Sequence, residues 1–266
     1  MAELYREERG SGAPLLLIHG NGANTLTWGR TFDDLAAGHR VISYDRRGFG
    51  RSPGPPAARM SDHVADAAAL LEELDAAPAA VLGWSAGGVV ALGLAVERPD
   101  LVSSLILEEA AYALLLHPTR GGLRFSWRFD AARLRRDRRG SAQAVFDYAL
   151  DYRDGGSQFD RFPAEWRAAM FDSAEAITAE GRQLRTPWPR RKAVAAISCP
   201  VTIITGCRAE PAFGAAARRL GKILPSARYV AVPNAGHGVH FDQPERFRDE
   251  VLSDLPDLMA DIDTPA

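Results

Sequence analysis

Six short apolar runs punctuate the chain, and each ends on turn residues. Residues 15–18 run into His19-Gly20, 41–44 end at Asp45, and 79–82 end at Gly83. Residues 101–107 end at Glu108-Glu109, 201–205 at Gly206, and 228–232 at Pro233. Runs this short and this continuously apolar predict strands buried on both faces, as in a parallel sheet. Helical periods lie between them. One opens at Ser61 and continues through Val64, Ala67, Ala68, Leu71 and Leu74, with Pro78 beyond its end. Another covers residues 86–97 and closes before Arg98-Pro99, because the residue ahead of proline resists helical geometry. A third is expected from Asp242 to Leu255, with Asp242 and Glu245 spaced as a capping box. Alternation of strand and helix predicts an α/β fold with a doubly wound, mostly parallel sheet.

The alternation fails between residues 112 and 196. This stretch shows no strand pattern and carries many arginines and aromatics, among them Phe125, Trp127, Phe129, Trp166 and Trp188. From Arg120 to Lys192 there are 16 Lys and Arg against 10 Asp and Glu, in a chain whose net charge is −2. With this much apolar content the stretch is not a disordered linker. It is expected to be a helical lid inserted over the sheet, so the core is expected from 1–111 and 197–266.

Composition narrows the function class. A net charge of −2 lacks the dominant basic surface that nucleic-acid binding requires. Cys199 and Cys207 sit at opposite ends of one extended run, too far apart to bridge. Without a disulfide framework or a metal-type cysteine cluster, a cytoplasmic setting is expected. Residues 1–12 are polar, so no signal peptide is expected, and no apolar run approaches the ~20 residues of a membrane span.

The strongest chemical signal is Gly83-Trp84-Ser85-Ala86-Gly87, a G-x-S-x-G pentapeptide between a strand and a small-residue helix. A serine on so sharp a turn needs glycine or small neighbours, and the turn exposes its hydroxyl as a nucleophile. His19-Gly20-Asn21-Gly22 follows the first strand, and glycines there let a backbone N–H approach a developing oxyanion. The N–H groups of Asn21 and Ala86 are the expected pair of donors. Asn234-Ala235-Gly236-His237-Gly238 follows the last strand, which makes His237 the expected general base; His240, three residues on, is expected to line the site or cap the helix. The segment from Asp45 to Ser52 reads as an architectural turn.

With these motifs (H-G-N-G, D-R-R-G-F-G-R-S, G-W-S-A-G-G and N-A-G-H, in that order) the chain resembles the α/β-hydrolase superfamily over everything but the expected lid. Serine at the elbow separates it from relatives with aspartate there, such as haloalkane dehalogenases. The usual family acid lies after the penultimate strand, about three residues past a glycine. Here that position holds Ala209 in Gly206-Cys207-Arg208-Ala209-Glu210. Glu210 is one substitute. Glu109 is the other and is preferred, because branches similar to zearalenone-type lactone hydrolases place a glutamate at that strand end. Glu108 is expected on the opposite face.

The resemblance implies a Ser85–His237–Glu109 triad acting on a small-molecule ester or lactone through an acyl-enzyme. Trp84 and Trp188 are expected to contact substrate. No metal, cofactor, nucleic acid or membrane partner is expected, and the assembly is expected to be a monomer or homodimer. The same residues also fit an acyltransferase, a C–C bond hydrolase or a ligand-binding receptor of this fold.

Overall fold

The computed structural model describes residues 3–224, 226–253 and 255. The expected core boundaries, 1–111 and 197–266, therefore extend past the described residues at 1–2 and 256–266. The strands are β1 (Arg6–Arg9), β2 (Pro14–Ile18), β3 (Arg40–Tyr44), β4 (Ala79–Trp84), β5 (Val102–Glu108), β6 (Val201–Gly206) and β7 (Arg228–Val232). They form one sheet in the order β1-β3-β2-β4-β5-β6-β7. Every pairing is parallel except β1 with β3. The sequence pattern missed β1. Its residues read Arg-Glu-Glu-Arg and remain largely exposed, so no apolar run marks it. Pairing with β3 forms it.

Helices α1 (Arg30–Ala36), α2 (Met60–Glu73) and α3 (Ala86–Glu97) fall within the first half of the sheet. Six more follow between β5 and β6: α4 (Arg120–Leu134), α5 (Arg138–Leu150), α6 (Gln158–Arg161), α7 (Ala164–Asp172), α8 (Ala174–Gln183) and α9 (Arg191–Val194). Then come α10 (Pro211–Ile223), α11 (Val239–Asp242) and α12 (Pro244–Leu252). Alternate strand residues face opposite ways, and the core divides accordingly. Leu16, Ile18, Val81, Leu105 and Leu107 pack with Val64 of α2, Val90 of α3 and Leu220 of α10. Leu15, Leu17, Leu82 and Ile106 pack on the other side with Leu35 of α1 and Val251 of α12. No helix of the described residues is long and apolar enough to cross a membrane.

Two helix starts differ from the sequence pattern. α2 opens at Met60, one residue before Ser61, where the Arg59 N–H donates to the Asp62 carboxylate at 2.9 Å. The expected helix from Asp242 divides instead into α11 and α12, with Gln243 between them and Pro244 at the first helical position. Asp242 forms no capping box. Its carboxylate accepts from the Gly236 N–H at 2.7 Å, from Gln158 at 2.7 Å and from the Tyr152 hydroxyl at 2.8 Å. That use of Asp242 holds the loop around residue 237 against the inserted helices, which a local pattern does not reveal.

The sheet also locates the site. β4 leaves its sequence neighbour β3 and pairs with β2 and β5. Strand order reverses there, and loops leaving the carboxyl ends of adjacent strands at such a point form a crevice. The loops after β2 and β4 carry His19-Gly20 and Ser85.

Candidate active site

Ser85 stands between β4 and α3 with φ +55° and ψ −117°, a conformation that L-residues rarely adopt. The turn is this tight because backbones pass through it. A Cβ on Gly87 would lie 2.0 Å from the Ile18 carbonyl oxygen, and one on Gly83 2.4 Å from that of Gly87. The Ser85 N–H is occupied, donating to the Glu108 carbonyl at 2.9 Å. The next N–H, that of Ala86, begins α3 and has no intrahelical acceptor.

Beside the serine runs the loop from His19 to Gly22. A Cβ on Gly20 would sit 3.0 Å from the Ser85 Cβ, so side chain here is excluded by the approach itself. Ala23 N–H donates to the Gly20 carbonyl at 3.2 Å, and Gly22 takes φ +78°, which makes residues 20–23 a turn with Asn21 at its second position. Asn21 and Ser85 line the same cavity. The Asn21 amide donates to the Ile177 carbonyl of α8 at 3.4 Å, tying the turn to the inserted helices.

A buried polar network holds this loop from behind. The Arg46 N–H donates to His19 Nε2 at 2.9 Å, and the His19 Nδ1–H is directed at the Gly20 carbonyl at 2.8 Å, a pattern that assigns a neutral imidazole. The Arg46 guanidinium donates to the same carbonyl at 3.1 Å and pairs with Glu180 of α8, both side chains being fully buried. His63 lies 3.5 Å from Glu180. Burial and the Arg46 charge hold His19 well below its ordinary pKa, and burial with Arg46 lowers His63 to about 2. The Asp45–Ser52 turn is thus architectural: Asp45 accepts from the Thr25 and Arg51 N–H groups at 2.7 Å each.

The two neutral histidines set a pH dependence of stability. Unfolded, each binds a proton near pH 6.5; folded, each resists it. Stability is therefore full above about pH 6.5 and falls as pH drops toward the folded pKa. The slope approaches ~1.4 kcal/mol per pH unit for each histidine. Urea midpoints at pH 7 and pH 5 are expected to fall further apart in the wild type than in His63→Gln. Equal differences would show that His63 titrates normally in the fold.

His237 leaves the loop after β7. Its Nδ1 lies 3.3 Å from Glu109 Oε2, and both residues are buried. Glu109 follows β5 with φ +49°, and its other oxygen accepts from the Thr205 hydroxyl and from the Gly206 N–H at 2.7 Å. Two donors thus hold the carboxylate from β6 while its free oxygen meets the imidazole. The Trp84 indole N–H donates to the His237 carbonyl at 2.9 Å, and the Phe213 ring lies 4.1 Å from the imidazole. Phe213 also lines the cavity with Ser85. Ser85 Oγ forms no hydrogen bond to His237 among the described residues; contacts of this kind often tighten only with substrate bound.

Other expectations resolve differently. Glu210 faces the Thr119 hydroxyl at 2.5 Å and not the imidazole. Glu108 turns to His240, accepting from its N–H at 3.0 Å and lying 2.9 Å from its Nδ1, while the Nε2 faces the Thr27 carbonyl at 3.1 Å. His240 therefore neither lines the cavity nor caps a helix. Trp84 and Trp188, expected at the substrate, are absent from the cavity wall. Trp84 is buried between Trp28, His237 and His240, its N–H committed to the loop. Trp188 packs over Gly93 of α3 and Val64 of α2.

The cavity measures about 160 Å³ and is lined mainly by apolar groups, among them Ala111, Leu114, Phe125, Val145, Tyr148 and Phe213. Sequence reasoning missed Tyr148 and Phe213. Tyr148 lies on α5, whose periodicity is weak, and Phe213 on amphipathic α10, where periodicity marks a buried face but not what it is buried against. Among the described residues no group of three His, Cys, Asp or Glu is arranged to hold a metal.

Comparison with known proteins adds an independent line. The profile of the "Alpha/beta hydrolase family" matches residues 15–250. A curated relative from Mycobacterium tuberculosis, "Putative non-heme bromoperoxidase BpoC", is 31% identical over 267 residues, spanning 95% of this chain and 97% of its own. The solved enol-lactonase from Burkholderia xenovorans LB400 superposes with a TM-score of 0.79 at 22% identity, over 95% of this chain and 96% of its own. A thermophilic esterase from Thermogutta terrifontis gives 0.77 at 24%, over 94% and 92%. At those identities the two structures attest a common fold.

Proposed function

The chain belongs to the alpha/beta hydrolase family and is an enzyme of that family, and from that premise we propose that it cleaves a small apolar carboxylic ester or lactone with a Ser85–His237–Glu109 triad. His237 Nε2 takes the Ser85 proton as Oγ adds to the carbonyl carbon, and the N–H groups of Asn21 and Ala86 receive the oxyanion. The alcohol leaves with the proton from His237. Water, deprotonated by the same imidazole, then releases the acid and restores the serine. Helices α4 to α9 serve as the lid that closes the cavity over Ser85.

What carries this reading is the buried His237–Glu109 contact, on a loop held by the indole of Trp84, together with the next residue in the chain, Ser85, in strained geometry at the wall of an apolar cavity. The carboxylate anchored by Thr205 and Gly206 favours the Nδ1–H tautomer, which leaves Nε2 as the base. A bromoperoxidase reading, prompted by the mycobacterial relative's name, has no residue of its own to carry it here. Acyl transfer on the same residues is separated from hydrolysis by adding excess alcohol and asking whether ester replaces acid as product.

The test uses p-nitrophenyl esters. The apolar wall predicts that a butyryl ester is turned over with kcat/KM at least ~10-fold above a hemisuccinyl ester of matched length. The reason is that an unpaired carboxylate is costly to desolvate. Covalent modification by a p-nitrophenyl phosphonate should label Ser85, read by mass spectrometry of the peptide. Absence of both turnover and label removes the proposal.

A further inference from the structure

Among the described residues, the three large apolar side chains most exposed to solvent are Leu123 at 67%, Trp127 at 73% and Leu134 at 75%. All three share one face of α4, at spacings of four and seven residues. The opposite face of α4 buries Phe129 and Ala132. The helix therefore turns to water a largely apolar stripe, whose one acid, Asp130, is paired with Arg133 and Arg185. Arg120, Arg124 and Arg135 border the stripe, are exposed, and hold no ion pair among the described residues.

We propose that α4 docks on an anionic phospholipid bilayer surface, lying in the interface with Leu123, Trp127 and Leu134 inserted and the flanking arginines on the headgroups. Charge distribution supports that occupant. The stretch from Arg120 to Lys192 carries 16 basic against 10 acidic residues in a chain of net charge −2, so the rest of the molecule is acidic and turns away from an anionic surface. Area argues against a second copy. Three side chains on one helix face fall well short of the ~800 Å² per partner that a stable protein interface buries. An interfacial helix needs only an apolar stripe with basic flanks. The stripe is also continuous with the cavity, because Leu123 lines both. Docking therefore brings the cavity mouth to the layer where apolar esters concentrate. The expectation of no membrane partner rested on spanning runs; the stripe concerns a bilayer's surface.

Cosedimentation of the full chain with phosphatidylglycerol–phosphatidylcholine vesicles, against vesicles of phosphatidylcholine alone, tests the proposal. Binding is expected to the anionic vesicles only and to be released by high salt. Trp127→Glu with Leu134→Glu should lower the bound fraction about tenfold at an unchanged thermal melt. Arg120→Glu with Arg124→Glu should do the same, and neither pair contacts Ser85. Equal binding by wild type and both double variants overturns the proposal, as does no binding to anionic vesicles. A concentration-dependent dimer in sedimentation velocity, dissolved by Trp127→Glu with Leu134→Glu, overturns it in favour of an interface between copies.

Discussion

Replacing Ser85 with alanine is expected to lower kcat for p-nitrophenyl butyrate by about 10⁴- to 10⁶-fold, the range seen when a triad nucleophile is removed. What survives would be catalysis by the oxyanion donors and binding alone. The variant should fold as the wild type does. Ser85 Oγ makes no hydrogen bond among the described residues, and alanine meets the same backbone strain at φ +55° that serine already bears. Circular dichroism and thermal melting therefore serve as the folding control. Turnover within a few-fold of wild type, with the fold intact, would mean that the chemistry takes place elsewhere.

The second large effect concerns the acid. In Glu109→Gln the side-chain oxygen still has two donors to satisfy, the Thr205 hydroxyl and the Gly206 N–H. The amide will turn its oxygen toward them, which points its NH₂ at His237 Nδ1. The imidazole must then accept at Nδ1 and carry its proton on Nε2, where it cannot take one from serine. A fall in kcat of about 10³- to 10⁴-fold follows by analogy with an Asp-to-Asn change in a triad. Glu210→Gln should leave kcat near wild type, since that carboxylate faces Thr119. Rates under saturating substrate, measured for both variants, decide between them. The reverse pattern would move the acid to residue 210 and require the loop after β6 to rearrange.

Much of this molecule was legible along the chain. Local chemistry made it so: a strand buried on both faces must be apolar throughout, and a serine on a strained turn must have glycine beside it. Gly83 and Gly87 are needed because backbone atoms pass within a side chain's reach. Those demands act over a few residues, so the six core strands, helices α2 and α3, the elbow at Ser85 and the loop carrying His237 were visible without coordinates. The polar edge strand β1 was not. Its existence depends on pairing with β3, and its own residues carry no burial signal.

Only the tertiary structure decided which partners meet. The family resemblance paired Glu109 with His237, and alternation put Glu108 on the opposite face, but nothing along the chain gave Glu108 its partner. The alternation at the end of β5 sends Glu109 to His237 and Glu108 to His240. Trp84 sits beside Ser85 in sequence and Trp188 in the inserted stretch, yet their rings serve the core, while Tyr148 and Phe213 from distant helices wall the cavity. Asp242 illustrates the same division: its spacing promised a helix cap, and its carboxylate was drawn instead to Gly236, Gln158 and Tyr152. Periodicity records how deeply a side chain is buried. The identity of its neighbour depends on loop closures between residues far apart in the chain, and no local pattern encodes them.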